Sequence, residues 1–263
     1  MRRAISAFAI LVFLFLVLPI VVVFPLSFSS GEVLTLPTPG WSLRWYQDFF
    51  YSERWLRATW NSIVVGTATM VLATVLGTLA SFGLHMSEFR GKKLVIALLS
   101  LPMVVPTIVI ASSLFFGFAT VGLTNSRFGL IIAHTIIAAP YVVITVLAAV
   151  QTFDATLLRA ALSLGANPFT AFVEVVLPMI MPGVVAGAIF AFATSFDELI
   201  IAIFLTGPEQ ITLPRQMFSG LREMLSPTIA AAAVLMILFS VAMLVVAEIA
   251  RARSERIRQS GQS

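Results

Sequence analysis

Long apolar runs separated by short polar connectors organise this chain. A helix needs about 20 apolar residues to cross the hydrocarbon of a bilayer. Six segments meet that length, at residues 4–26, 59–84, 94–118, 130–150, 183–205 and 228–249. The pattern predicts an all-α membrane protein with six transmembrane helices. Glycines and prolines fall inside several of these runs, which membrane helices tolerate better than soluble ones do. The first run follows Met1-Arg2-Arg3 and is longer than the roughly 7–15 apolar residues of a signal peptide, so residues 1–26 read as an uncleaved first helix.

The connectors differ in kind. Residues 27–56 carry turn signals at Gly31, Pro37, Pro39 and Gly40, then an aromatic stretch from Trp41 to Tyr51 suited to a membrane interface. The connection over 206–227 holds Gly207-Pro208 and Pro214, followed by an amphipathic segment from Gln216 to Leu225. Residues 151–182 form the one sizeable loop on the opposite side, and 251–263 a basic tail.

Composition makes lipid the solvent. Hydrophobic residues are 59% of the 263 and charged residues 11%, with a mean hydropathy of +1.03. A soluble domain carries about a quarter of its residues charged, so too little polar surface exists here to cover a water-exposed globule. The formal charge of +4 sits between apolar runs, where basic residues orient spans and meet anionic headgroups rather than nucleic acid. With the N-terminus inside, Arg2, Arg3, Arg90, Lys92, Lys93, Arg159, Arg251, Arg253, Arg256 and Arg258 are cytoplasmic. Arg44, Arg54, Arg57, Arg127, Arg215 and Arg222 are then outside, a division of ten against six. That bias predicts both termini in the cytoplasm.

Candidate chemistry is sparse. The absence of cysteine excludes disulfides, thiolate metal sites and thiol nucleophiles, and His85 and His134 are too few for a histidine-rich metal site. The phosphate-cradling Gly-x-x-x-x-Gly-Lys-Ser/Thr is also missing, since Gly91-Lys92 lacks both its upstream glycine and its hydroxyl neighbour. No cofactor and no catalytic site are expected. Asp197 and Glu198 stand inside the otherwise apolar fifth run, where a charge costs about 2.5–3.5 kcal/mol on insertion scales. They read either as a cation-attracting pair on a solute pathway or as structural groups that pair with a partner chain or cap a broken helix. His134, with no second ligand nearby, reads as a hydrogen-bonded packing residue. Gly183 and Gly187 form a small-xxx-small pair for close helix packing.

The loop at 151–182 is the most informative stretch. Leu157, Leu158, Ala161 and Leu164 recur at helical spacing, and Gly165 suits a helix end that needs positive φ. Asn167 then suits an N-cap and Pro168 the first helical position. A second helix is expected toward Val176, stopped by Pro178 and Pro182. Two short helices with a sharp corner are predicted, either lying on the headgroups or docking into another protein's groove.

These residues carry a resemblance. Ala160-Ala161, three residues, Gly165, nine residues, then Val175-Val176-Leu177-Pro178 resembles the permease signature of ATP-binding-cassette importers, Glu-Ala-Ala-x3-Gly-x9-Ile-x-Leu-Pro. Arg159 stands where the family usually has glutamate. Trp60-Asn61-Ser62, Leu101-Pro102-Met103-Val104-Val105-Pro106, Ala139-Pro140-Tyr141, Ser195-Phe196-Asp197-Glu198, Thr206-Gly207-Pro208 and Thr212-Leu213-Pro214 are similar to the spermidine/putrescine-type branch. The likeness runs over 57–250. It implies a type I (MetI-like) importer permease fold with five core helices and an extra N-terminal one. The implied partners are cytoplasmic ATPase subunits, a second permease subunit and a periplasmic binding protein. It also implies that Arg159, Ala160, Ala161, Leu164, Gly165, Ala166, Asn167 and Pro168 form the coupling element that docks on the ATPase. Prolines 102, 106 and 140 would then either support bent helices around the pathway or be ordinary kinks without a role. Arg215 and Glu223, outside, would face either solvent or the binding protein.

Overall fold

The computed structural model describes residues 2–223 and 226–260. The side chains of Glu223 and of the tail arginines Arg251 to Arg258 lie outside the described residues, as does Leu225. The chain is built from helices. In order they are α1 (Arg2–Ser27), α2 (Arg44–Tyr51), α3 (Glu53–Met86), α4 (Lys92–Ser100), α5 (Thr107–Thr120) and α6 (Arg127–Gln151). There follow α7 (Ala155–Ser163), α8 (Pro168–Ala171), α9 (Leu177–Phe196), α10 (Ile200–Leu205), α11 (Leu213–Glu223) and α12 (Thr228–Ser260). A 3-10 turn, Leu101–Met103, follows α4, and a π-helical turn, Phe172–Val176, joins α8 to α9.

Five helices among the described residues are long and apolar enough to cross a membrane: Phe8–Ser27, Glu53–Met86, Arg127–Gln151, Pro168–Phe196 and Thr228–Val245. The third expected span, 94–118, is not one straight helix. Lys92–Met103 and Thr107–Thr120 meet at 96°, and a sixth crossing exists if this bent pair counts as one. Pro106 has no N–H to continue the ladder and drives the residue before it away from helical geometry. Pro140 does not act this way, and α6 runs unbroken through it.

The fifth span also differs from the expected 183–205. Its helix starts at the loop itself, with α8, the π turn and α9 forming one continuous helix, and it ends at Phe196. Pro178 and Pro182 do not stop it. In the π turn the Leu177 amide donates to the Phe172 carbonyl, five residues back. A wider turn leaves carbonyls without an i+4 donor, and a proline fits where no donor is needed.

Packing divides the described residues into two compact units, one from 2–59, 213–223 and 226–241, the other from 60–212 and 242–260. In the first, α1 is apolar on every side and its side chains from Ile10 to Leu16 stay exposed, as expected of a helix whose solvent is lipid. After α1 the chain hooks back, with the Ser42 amide donating to the Phe28 carbonyl at 2.7 Å. Trp45 Nε1 donates to the Ser29 carbonyl at 2.7 Å, and Thr228 Oγ1 donates to Asp48 Oδ2 at 2.7 Å.

In the second unit α6 is the central post. A Cβ placed on Gly183 would lie 2.5 Å from the Ala149 Cβ, and one on Gly187 2.6 Å from Thr145 Oγ1. The small-xxx-small pair therefore lets α9 lie directly on α6. Gly77 of α3 does the same against Val142, at 2.7 Å. Ser81 Oγ seals that contact by donating to the Val143 carbonyl at 3.0 Å.

Candidate functional site

The corner at 154–168 is assembled by local backbone chemistry. Asp154 caps α7, its Oδ1 accepting from the Thr156 amide at 2.9 Å. That bond, helped by the Arg159 charge, holds the Asp154 carboxyl below the usual range. At the other end the Gly165 amide donates to the Leu162 carbonyl and the Ala166 amide to the Ala161 carbonyl, both at 3.1 Å. This pair of bonds is a Schellman motif. It requires a left-handed residue, and Gly165 has φ of +93°. Nothing lies within 4 Å of where a Gly165 side chain would start, so conformation, not space, selects glycine. Two residues later Asn167 Oδ1 accepts from the Thr170 amide at 2.8 Å, with Pro168 opening α8.

The corner has two faces. Inward, Leu158, Ala171 and Val176 are buried in one apolar cluster with Val146 and Val150 of α6 and Ile180 of α9, and Ala161 and Ala166 pack against it. Outward, Arg159, Ala160, Gly165, Asn167 and Pro168 are exposed. Two large apolar side chains project among them, Leu164 at 89% exposure and Phe169 at 76%. Sequence reasoning did not single out Phe169. Its place one residue after an N1 proline fixes it on the outer edge of the turn, but spacing alone does not say which side of so short a helix is buried.

Asp197 and Glu198 occupy the break between α9 and α10. The Glu198 Oε1 accepts from the Ile201 amide at 2.9 Å, so this carboxylate caps α10 from inside the break. The Asp197 side chain is exposed. Neither takes part in an ion pair among the described residues. One turn earlier, fully buried His134 meets Ser195, Nδ1 to Oγ at 2.7 Å, which ties α6 to α9 just before the break. No group of three or more metal-ligating side chains occurs among the described residues.

Comparison with known proteins fits this geometry. Residues 73–256 match the family described as binding-protein-dependent transport system inner membrane component. The spermidine/putrescine transport system permease protein PotC of Haemophilus influenzae is 32% identical over 244 residues, covering 93% of this chain and 95% of that one. The putrescine transport system permease protein PotI of Escherichia coli is 32% identical over 232 residues, covering 86% and 82%. A crystal structure of a bacterial ABC transporter involved in the import of alginate superposes with a TM-score of 0.75 at 18% identity, covering 97% of this chain and 95% of that one. The fold is thus the all-α, MetI-like permease fold expected from the sequence.

Proposed function

The chain belongs to the family of inner-membrane components of binding-protein-dependent transport systems, and from that premise we propose that it lines the solute pathway of an ATP-driven importer of polyamines or related small organic cations. The observation that carries this reading is the corner. It is a rigid turn, set on the ends of α6 and α9, that presents Leu164 and Phe169 outward. An exposed apolar pair on a preorganised turn suits a groove on a partner protein. Arg159, Ala160, Ala161, Leu164, Gly165, Ala166, Asn167 and Pro168 form the docking element for a cytoplasmic ATPase subunit, with Phe169 added. The importer is completed by a second permease subunit, a paralogue of this one, and by a periplasmic binding protein. The ten-to-six division of basic residues favours both termini in the cytoplasm, an orientation that would put the corner on the ATPase side.

The chain itself moves no covalent bonds in this reading. Asp197 offers a negative charge on the pathway, where a cation exchanges water for a carboxylate. Glu198 has two tasks, since the same carboxylate caps α10. The polyamine assignment rests on the likeness to PotC and PotI together with these two acids.

Co-purification with an ATP-binding-cassette ATPase subunit, and uptake of labelled spermidine and putrescine by the reconstituted complex, test the reading. Gly165→Val should abolish co-purification while the protein still folds. Asp197→Asn combined with Glu198→Gln should depress uptake and leave the complex assembled. An intact complex with Gly165→Val would sink the docking role, and undiminished uptake by the double variant would remove the acids from the pathway.

A further inference from the structure

At the ends of α3 and α6 remote from the Gly165 corner, one fully buried side chain joins three parts of the chain. Asn61 Nδ2 donates to the Glu209 carbonyl at 2.8 Å and to the Ile211 carbonyl at 2.9 Å. Its Oδ1 accepts from Arg127 Nε at 3.0 Å. Both amide hydrogens and the amide oxygen are therefore used, on groups 66, 148 and 150 residues away. A second bond closes the same junction, from the Asn125 amide to the Leu205 carbonyl at 2.8 Å. The turn after α10 is held at both ends, to α3 and to the start of α6.

We propose that Asn61 is a positioning residue of the transport cycle, locking these three elements into one body that stays closed while other parts of the unit move. The link to transport rests on the function proposed above; the lock itself does not. An amide is the one side chain of this size with two donors and an acceptor on a single plane. Asn61 is itself fully buried, so opening the junction would leave its amide without the three partners that satisfy it, a costly state. At the helix breaks, 104–106 and 197–199, the backbone bonds among the described residues reach only three or four residues back, and the His134–Ser195 tie joins α6 to α9 ahead of the second break, not across it. Motion is therefore expected at the breaks and not at the junction.

The chain has no cysteine, so an introduced pair is read without background. A Cβ on Gly207 would lie 3.2 Å from the Asn125 Cβ, close to the roughly 3.5–4.5 Å of a disulfide. In the complete reconstituted transporter, the Asn125→Cys/Gly207→Cys protein should take up solute equally well oxidised and reduced. Asn61→Leu should lower uptake about fivefold or more, and adding the oxidised pair should restore most of it. Uptake lost on oxidation and regained on reduction would overturn the proposal, as would undiminished uptake by Asn61→Leu. Thermal melting of the full chain in detergent reads the junction without transport. Asn61→Leu should lower the Tm and the oxidised pair should raise it again; an unchanged Tm overturns the lock. A wild-type transporter that moves no solute, with these melting shifts intact, would count against the importer reading alone.

Discussion

Gly165 and Asn167 do opposite things within three residues. The first ends a helix by taking a conformation that costs other residues about 1–2 kcal/mol, and the second starts a helix with a side-chain cap worth about 1 kcal/mol. Asn167→Ala should therefore weaken the corner less than Gly165→Val, a ranking that protease sensitivity around residues 160–170 would check. Asp154 adds a pH dependence. Its pKa is lowered in the folded state, chiefly by the Thr156 amide, so its contribution is present above the ordinary carboxylate range and fades as pH falls through the lowered value. Asp154→Asn keeps a cap and removes the titration. Amide signals of residues 155–157 followed by NMR between pH 6 and about pH 3 should shift in the wild type and stay flat in the variant. Glu198 separates in the same way. Glu198→Gln retains an oxygen for the Ile201 amide, whereas Glu198→Ala removes it. If the cap matters as well as the charge, the alanine variant should melt lower than the glutamine one.

The elements show which structure could be read from local sequence. The turn at Gly165, the N-cap at Asn167 and the N1 proline depend on residues within a few positions, and the spacing of residue types announces them. The continuous helix from Pro168 to Phe196 could not be read so. Pro178 signals a stop in an α-helix, and only the π turn before it removes that meaning. Nor could the role of Asn61, whose carbonyl partners lie 148 and 150 residues along the chain. The glycine pair on α9 was legible as a packing motif but not as to its partner, which is α6. Gly187→Leu should force a side chain into Val142 and Thr145. Overpacking of this kind costs about 1–3 kcal/mol or more, and the melting temperature of the purified protein should fall accordingly. An unshifted melting curve would mean that α9 does not lie against α6 as described.

At the scale of the whole molecule, exposure has several causes. The apolar shell of α1 faces lipid, while Leu164 and Phe169 project from a turn between spans. Replacing both with serine should leave insertion and melting unchanged and loosen the ATPase complex. Pull-down of the ATPase against salt-washed membranes measures this, and retention at wild-type level would assign the pair to the headgroups instead. The acids at 197–198 were visible in the sequence as an anomaly. Their division into a helix cap and an exposed carboxylate was not, because it depends on where the helix breaks.

The unbroken helix from Pro168 to Phe196 spans about 43 Å at about 1.5 Å per residue. If the corner docks as proposed, this helix is a lever arm with that surface at one tip and Asp197 just past the other. Tilted by about 10° around its middle, such a rod displaces each tip by about 4 Å in opposite senses. A small swing imposed at the ATPase would thus reposition the carboxylate by more than the length of a hydrogen bond, with no flexible loop in between to absorb the stroke.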